Sequence, residues 1–245
     1  MWDRPDVLRR VADGLLTIAV LLIIAGAVFA AVRSPLFELR RVQVLGAVSR
    51  ITPEEVAEIV RSDIRGNLVT LDVDAARGAF ERLPWTRTVM VRRHWPGKLE
   101  VTLEEHVALA RWGDAALVNT HGEVFKASYN GDLPVFSGPP ESVKEIAIQY
   151  EYFRSVLAPI ARMPTRVSVS PRHAWQIQLD GGTMVELGRD HVEERLARLA
   201  AVYERTIGRL NRRIDYVDLR YPNGFAVRIP EMRDGTARER RKGRT

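Results

Sequence analysis

An uninterrupted apolar stretch near the N-terminus constrains this chain most strongly. Nineteen consecutive residues, from Gly14 to Val32, contain no charged side chain. As an α-helix they would extend about 28 Å at ~1.5 Å per residue, close to the ~30 Å thickness of the bilayer hydrocarbon core. The stretch therefore predicts one transmembrane helix over residues 14–32, preceded by a short cytoplasmic segment, residues 1–13.

Two other interpretations of this stretch are open. A secretory signal peptide has a shorter apolar region, of about 7 to 15 residues, but Ala25-Gly26-Ala27 could serve as a cleavage site. A buried core helix can be equally apolar, yet here it would precede every element against which it could pack. We therefore favour the membrane span, with one large water-soluble part following it.

The charges that flank the stretch leave its orientation open. The positive-inside rule counts the basic residues on each side, and both sides carry three arginines: Arg4, Arg9 and Arg10 before it, and Arg33, Arg40 and Arg41 after it. The preceding segment is too short to fold. We therefore expect the working portion on the C-terminal side.

Composition excludes several kinds of chemistry. The chain has no cysteine, which rules out disulfides, thiolate zinc sites and cysteine nucleophiles. Residues 231–245 hold six basic and three acidic side chains and almost nothing apolar, so they cannot bury enough surface to offset chain entropy. We predict a disordered basic tail there; solvation is favoured over binding to nucleic acid or anionic lipid.

Residues 33–107 predict a β-α-α-β-β unit. Thr52-Pro53-Glu54-Glu55 combines a Thr N-cap, a Pro at the first helical position and a Glu three residues after the cap, which is a capping box. Pro96-Gly97 marks a turn between alternating segments. The predicted elements are a strand at 37–46, a helix after Thr52, a helix from Asp72 or Asp74 to Pro84, and strands at 89–95 and 98–107.

Residues 108–230 predict a β-rich domain with flanking helices, so the fold class is α+β. Short apolar runs alternate with turn residues, and we place strands at 108–112, 116–120, 123–126, 133–136, 166–170, 174–179 and 183–187, with a helix near 140–157. An amphipathic helix follows, with Asp190 as N-cap and apolar residues recurring as far as Leu210. Its apolar stripe should pack on the sheet, which leaves four arginines near solvent: Arg195, Arg198, Arg205 and Arg209.

The last element should be a hairpin. One strand covers Ile214–Tyr221, and Pro222-Asn223-Gly224 fits a type I turn closed by a left-handed glycine. The inward residues of the returning strand are Phe225, Val227 and Ile229. If this strand lies at the sheet edge, its unpaired backbone groups can accept a strand from another chain, and the small Gly224 and Ala226 leave room for it. A covered edge is the alternative.

Motifs for common enzyme chemistry are missing from the sequence. It has no Gly-rich phosphate loop, HExxH, Gly-x-Ser-x-Gly or SxxK. Glu104-Glu105-His106 is the most suggestive cluster, but exposed polar side chains are expected in an alternating strand. Asp215 and Asp218 fall on opposite strand faces and favour structural ion pairs. We therefore predict no catalytic residue, metal, cofactor, small-molecule substrate or nucleic-acid partner.

A series of short motifs resembles the FtsQ (DivIB) family of bacterial cell-division proteins, from the span to about Pro230. Single matches are weak, but their order and spacing together are specific. The motifs are Phe37-Glu-Leu-Arg-Arg-Val-Gln-Val-Leu-Gly46, Leu83-Pro84-Trp85, Val91-Arg92-Arg93-His94-Trp95-Pro96, Glu105-His106, Ala110-Arg111-Trp112, Leu133-Pro134, Arg172-His173-Ala174-Trp175, Leu187-Gly188-Arg189, Val217-Asp218-Leu219-Arg220-Tyr221 and Asn223-Gly224.

The resemblance implies a POTRA domain followed by the β domain of the family, held in the periplasm by one span of the inner membrane. It also implies a non-enzymatic scaffold at the division septum that binds the bitopic proteins FtsB and FtsL and other divisome proteins for septal peptidoglycan synthesis. In the family, the last strands of the β domain capture a partner strand. The matching partner-binding residues are Arg220, Tyr221, Asn223, Gly224, Phe225 and Ala226, flanked by Arg172 and Trp175.

Two other functional classes remain as alternatives. A membrane-bound enzyme acting on peptidoglycan would need an acid–base pair converging in a cleft, which the sequence does not indicate. A transport or chaperone module is suggested by the POTRA resemblance, but such proteins usually repeat the unit or attach it to a membrane barrel. Neither pattern is found in this sequence.

Overall fold

A computed structural model describes residues 5–32, 34, 37–210 and 212–230. The α+β class is confirmed, and the chain divides into two compact units, Met1–Glu105 and His106–Thr245. The predicted basic tail, residues 231–245, lies outside the described residues.

Helix α1 spans Pro5–Val32 and contains the predicted apolar stretch. Its segment Arg9–Val32 is the one helix among the described residues that is long and apolar enough to cross a membrane, and none of it is buried within the protein. An apolar helix that the rest of the chain leaves unburied fits a single-pass membrane anchor and disfavours a core helix.

The remainder of the first unit has the predicted β-α-α-β-β order. Its elements are β1 Arg41–Leu45, α2 Pro53–Ser62, α3 Val73–Glu81, β2 Thr86–His94 and β3 Lys98–Glu105. Strand β3 is central, with β1 parallel to it on one side and β2 antiparallel on the other. One core cluster holds the unit together, and it includes Ile59 of α2, Phe80 of α3 and Leu99, Val101 and Leu103 of β3.

Both helices of this unit begin as predicted. At α2, Glu55 N donates to Thr52 Oγ1 at 3.2 Å and Thr52 N donates to Glu55 Oε2 at 2.8 Å, which confirms the capping box. At α3, Asp72 is the N-cap, and its Oδ1 accepts from the backbone N of Asp74 and Ala75. These local bonds satisfy donors that the first helical turn leaves without an intrahelical partner.

The second unit is a nine-stranded sheet with two helices. Its elements are β4 Ala108–Trp112, β5 Ala116–Asn119, β6 Val124–Phe125, β7 Val135–Ser137, α4 Val143–Leu157, β8 Pro164–Val169, β9 Trp175–Leu179, β10 Met184–Gly188, α5 Val192–Val202, β11 Tyr216–Asp218 and β12 Ala226–Arg228. The strand order is β12-β11-β10-β9-β8-β7-β4-β5-β6. Helices α4 and α5 contact each other and strands β8 and β10, and their apolar sides form one core with the sheet.

The prediction for α5 was wrong at both ends. The N-cap is His191, not Asp190; its φ is +55° and its side chain makes no capping bond. The helix ends at Val202 and does not continue to Leu210. Tyr203 and Ile207 are nevertheless buried in the core. The apolar spacing therefore predicted correctly that these two side chains are buried. It predicted the wrong backbone conformation, because the chain after Val202 brings them to the core through turns and not through a longer helix.

Candidate partner-binding edge

The last strand occupies one edge of the nine-stranded sheet, a position that sequence analysis had left open. Strand β12 pairs antiparallel with β11, and within the described part of the chain no strand pairs with its outer side. An edge strand of this kind presents backbone donors and acceptors to which another strand can add.

Hydrogen bonds between β11 and β10 show which residues of β11 face the edge hairpin. Leu219 N donates to Glu186 O at 2.9 Å. The backbone groups of successive strand residues point to alternate sides, so Leu219 and Val217 face β10. Tyr216 and Asp218 therefore direct their N–H and C=O groups towards β12.

The register of the hairpin then shows what lies at the open edge. Arg228 is opposite Tyr216, and Ala226 is opposite Asp218. Because these two residues of β12 bond to β11, Val227 between them directs its N–H and C=O away from the sheet. Val227 therefore supplies the central backbone donor and acceptor of the open edge.

Side chains of β12 alternate as the sequence predicts. Phe225, Val227 and Ile229 are partly buried against the core, whereas Ala226 and Arg228 are exposed. The strand is thus held by packing on one face.

Gly224 does not have the predicted left-handed conformation, since its φ lies outside the positive range that favours glycine. The type I turn with a left-handed glycine was therefore a wrong prediction. A Cβ atom built at Gly224 meets no atom within 4 Å. The absence of a side chain at Gly224 leaves open space beside the edge. The backbone conformation of the turn does not require a glycine here, because φ is not positive.

Most predicted partner-binding residues lie together on the β11–β12 hairpin and are accessible. Arg220, Tyr221, Asn223 and Ala226 are exposed, and Gly224 and Phe225 are half-buried. Tyr221 keeps 55% of its surface exposed, which is high for an aromatic side chain.

The flanking pair Arg172 and Trp175 divides into one exposed and one buried residue. Arg172 is exposed in the β8–β9 turn, which lies at the same end of the sheet as the β11–β12 turn. Trp175 is only 4% exposed and packs edge-to-face on Phe153, with ring centroids 5.8 Å apart. We correct the assignment of Trp175: it belongs to the core and cannot contact a partner directly.

An ion pair supports the end of β11. The Arg220 side chain donates three bonds to Asp218: Nε to Oδ1 at 2.9 Å, Nε to Oδ2 at 3.2 Å and Nη2 to Oδ2 at 2.7 Å. The backbone N of Arg220 donates to the same Oδ1 at 3.0 Å. These side-chain bonds from Arg220 hold the pKa of Asp218 below its usual value, although burial opposes the shift. The predicted structural ion pair at Asp218 is confirmed, and the Arg220 side chain stays 57% exposed.

Replacement of Asp218 by Asn is expected to lower the free energy of unfolding by about 2 kcal/mol near pH 7, since hydrogen bonds to charged groups contribute ~1.5–3 kcal/mol. Because the folded-state pKa of Asp218 is depressed, the carboxylate stabilises the fold fully above its unfolded pKa of about 3.9. That contribution is lost as the pH falls through the lower folded pKa. Urea titrations near pH 7 and pH 3 measure both values; a wild-type-to-variant difference that does not shrink at low pH would contradict this assignment.

Two arginines that sequence analysis placed near solvent donate to backbone carbonyls, and one of them, Arg198, holds the hairpin. Arg198 of α5 donates through Nη1 to Pro222 O at 2.8 Å and through Nη2 to Tyr221 O at 3.1 Å. Arg195 donates through Nη1 to Leu187 O at 2.6 Å. Both arginines flank Leu196 and Leu199 of the buried stripe. The spacing of these arginines in the sequence did not predict their carbonyl partners, because those carbonyls come close to the arginines only in the folded chain.

The suggestive Glu104-Glu105-His106 cluster has structural contacts. Glu105 accepts backbone N–H bonds from three residues of the loop before α2: Ser49, Arg50 and Ile51. Burial acts to raise the pKa of Glu105, but these backbone bonds outweigh it and lower the pKa. His106 stacks on Phe125, with ring centroids 4.1 Å apart. Across the described residues, no group of three or more His, Asp or Glu side chains could hold a metal ion.

Comparison with known proteins decides the family. The family described as "POTRA domain, FtsQ-type" matches residues 37–106, and "Cell division protein FtsQ/DivIB, C-terminal" matches residues 110–220. The Cell division protein FtsQ of Nitrosospira multiformis is 44% identical over 233 residues, which cover 93% of this chain and 99% of that protein. This chain belongs to the FtsQ family of cell division proteins.

Other FtsQ proteins match the chain over a similar length. The Cell division protein FtsQ of Burkholderia pseudomallei is 40% identical over 240 residues, or 95% of this chain and 96% of that protein. That of Neisseria gonorrhoeae is 32% identical over 229 residues, or 93% and 95%. The family resemblance inferred from the motif series is thereby confirmed, and the first soluble unit of this FtsQ chain is a POTRA domain.

Proposed function

We propose that this FtsQ chain is a membrane-anchored scaffold of the divisome. It captures a strand of FtsB- and FtsL-type bitopic partners at β12 and so links early and late division proteins for septal peptidoglycan synthesis. The N-terminus is cytoplasmic, α1 crosses the inner membrane once, and both soluble units, residues 33–107 and 108–230, work in the periplasm at the division septum.

The open edge of β12 is the observation that carries the proposal. Its outward N–H and C=O at Val227 can pair with an incoming strand, and exposed side chains surround them: Arg220, Tyr221, Asn223 and Ala226. The space beside Gly224 admits the side chains of that strand. Main-chain pairing supplies affinity in strand addition, and the neighbouring side chains select the partner. Arg172 extends the same surface along the end of the sheet.

A scaffold role also agrees with the hydrogen bonds that the carboxylates Asp218 and Glu105 make within the protein. Asp218 is bonded to Arg220, and Glu105 is bonded to backbone N–H groups. Groups held in this way stabilise structure and do not form the converging acid–base pair that a peptidoglycan-acting enzyme needs. We therefore favour binding over catalysis, and over a transport or chaperone role of the POTRA domain.

Site-specific crosslinking in membranes tests the capture surface. The natural chain has no cysteine, so Ala226→Cys provides a unique thiol beside the open edge. A series of single cysteines along an FtsB-type segment should crosslink at every second position, because strand side chains alternate between faces. Val124→Cys is the matched control, since β6 is the opposite sheet edge and Val124 is 46% exposed. Equal crosslinking from Val124, or a three-to-four residue period in the partner, would contradict strand capture.

A further inference from the structure

One end of the POTRA domain is hydrogen-bonded to the end of the membrane helix. Asn67 Nδ2 donates to Val32 O, the last residue of α1, and Leu68 N donates to Phe37 O at 2.8 Å. Asn67 Oδ1 in turn accepts from Thr70 N at 2.9 Å, which closes the loop. The loop between α2 and α3 therefore lies beside the point at which α1 ends.

The β2–β3 hairpin tip lies at the same end. Gly97 O accepts from Arg40 N at 2.8 Å and from Arg41 N at 3.1 Å, in the segment that leads from α1 into β1. Gly97 has φ +71°, and a Cβ atom there would lie 2.6 Å from Glu38 O. The tip, Trp95–Gly97, can approach this segment so closely because glycine has no side chain.

Apolar side chains at this end are unusually exposed. Trp95 has 72% of its surface exposed, and Val69 in the α2–α3 loop has 46%. Burying such surface is favourable, and neither side chain contributes to the POTRA core. Tryptophan is enriched at membrane–water interfaces, where its ring meets acyl chains and its N–H meets the headgroups.

The surrounding charges are mainly basic. Four arginines at this end are exposed: Arg40, Arg41, Arg65 and Arg93. Glu38, Asp63 and Asp72 are exposed carboxylates nearby. Asp63 accepts a bond from Arg82 Nη2 at 2.8 Å, and Asp72 uses its side chain to cap α3. Glu100 is neutralised locally, since it lies 3.2 Å from Lys98 Nζ and 3.5 Å from His94 Nε2. Basic groups outnumber free carboxylates, which favours an anionic surface as the ligand.

We propose that this membrane-proximal end, formed by the 65–70 loop and the Trp95–Gly97 tip, docks on the anionic phospholipid headgroups of the bilayer that α1 crosses. The arginines bind phosphate, and Trp95 and Val69 enter the interface. A lipid surface is the occupant because the 65–70 loop is bonded to the end of the span, where the bilayer surface begins, and the tip is bonded to the segment that leads from the span into β1. This docking would set the height and tilt of the POTRA domain above the membrane, and it does not depend on strand capture at β12.

Two single-cysteine variants of the full chain in nanodiscs test the proposal. Val69→Cys places a spin label in the membrane-proximal loop, and Val48→Cys places one at the opposite end of β1, where the native side chain is 36% exposed. With phosphatidylglycerol present, the label at 69 should be several-fold less accessible to an aqueous nickel complex and more accessible to oxygen than the label at 48. Removing phosphatidylglycerol should weaken that protection. The proposal would be overturned if nickel reached both labels equally. It would also be overturned if the protection of the label at position 69 were the same with and without phosphatidylglycerol.

Two further variants, read with the label at position 69, separate docking from folding. Arg65→Gln should reduce the ratio of docked to undocked protein about fivefold, because one basic residue near an anionic membrane surface contributes ~1 kcal/mol to binding. Trp95→Ser should also weaken docking and so raise the nickel accessibility of the label at position 69. It should not lower the unfolding midpoint, because the native ring is exposed. Ile148→Ser in α4, where the native side chain is 63% exposed, is the control for a lost surface apolar group. If Arg65→Gln and Trp95→Ser both behave like this control, the assignment fails.

Discussion

Replacement of Val227 by proline is expected to abolish capture of a partner strand while the rest of the domain stays folded. Proline has no backbone N–H, and the N–H of Val227 is the central donor that points away from β11. An unpaired partner carbonyl in the new interface costs ~1–3 kcal/mol, and the ring also obstructs the approaching strand. We expect the affinity for an FtsB-type segment to fall by at least about tenfold, a change of ~1.4 kcal/mol, as measured by fluorescence titration.

Two variants control this measurement. Val227→Thr keeps the N–H and the branched shape, so it should retain most of the affinity. Ala226→Pro removes a donor that bonds to β11, so it should destabilise the hairpin itself. If Val227→Pro binds as tightly as Val227→Thr, the partner does not add a strand at this edge.

Replacement of Trp175 by alanine is expected to destabilise the second unit by about 3–5 kcal/mol, the usual cost of truncating a buried aromatic side chain. Trp175 is 4% exposed, and its ring contacts Phe153, which is fully buried. The lost contacts and the cavity both act on the core shared by α4, α5 and the sheet. Urea unfolding of the full chain in detergent, followed by far-ultraviolet circular dichroism, measures the change.

Comparison with Arg172→Ala makes the result specific. Arg172 lies in the turn before β9 and is exposed, so its removal should leave stability within about 0.5 kcal/mol of wild type. Arg172→Ala can weaken partner binding, whereas Trp175→Ala should lose binding only together with folding. If the Trp175→Ala variant is stable but has lost partner affinity, the assignment of Trp175 to the core is contradicted and Trp175 contributes to partner binding.

Local patterns in the sequence predicted much of this structure. The capping box at Thr52 and the cap at Asp72 depend on residues within one helical turn, so neighbouring residues alone were enough to predict them. The length and composition of the apolar run ending at Val32 predict a helix that could span a membrane. The two-residue alternation of Phe225, Val227 and Ile229 predicts a strand with one face against the core. The edge position of β12 stayed open beside a covered edge, and the strand order of the sheet decides it.

Other features depend on contacts between residues that are far apart in the sequence. Trp175 looks like a surface residue beside exposed Arg172 until α4 places Phe153 against it. The sequence pattern places Arg198 near solvent, but the fold brings the carbonyls of Leu219, Tyr221 and Pro222 within reach of its guanidinium.

The amino-acid sequence by itself predicted the apolar N-terminal helix, the β-α-α-β-β order of the first unit and the many short strands of the second, because each follows from the polarity and spacing of neighbouring residues. Only the tertiary structure decided that α5 stops at Val202, that the turn needs no left-handed Gly224, and that Val227 carries the outward backbone groups. Those outcomes depend on register and on packing between distant segments. A one-residue shift in register would reverse which backbone and side-chain groups face the partner.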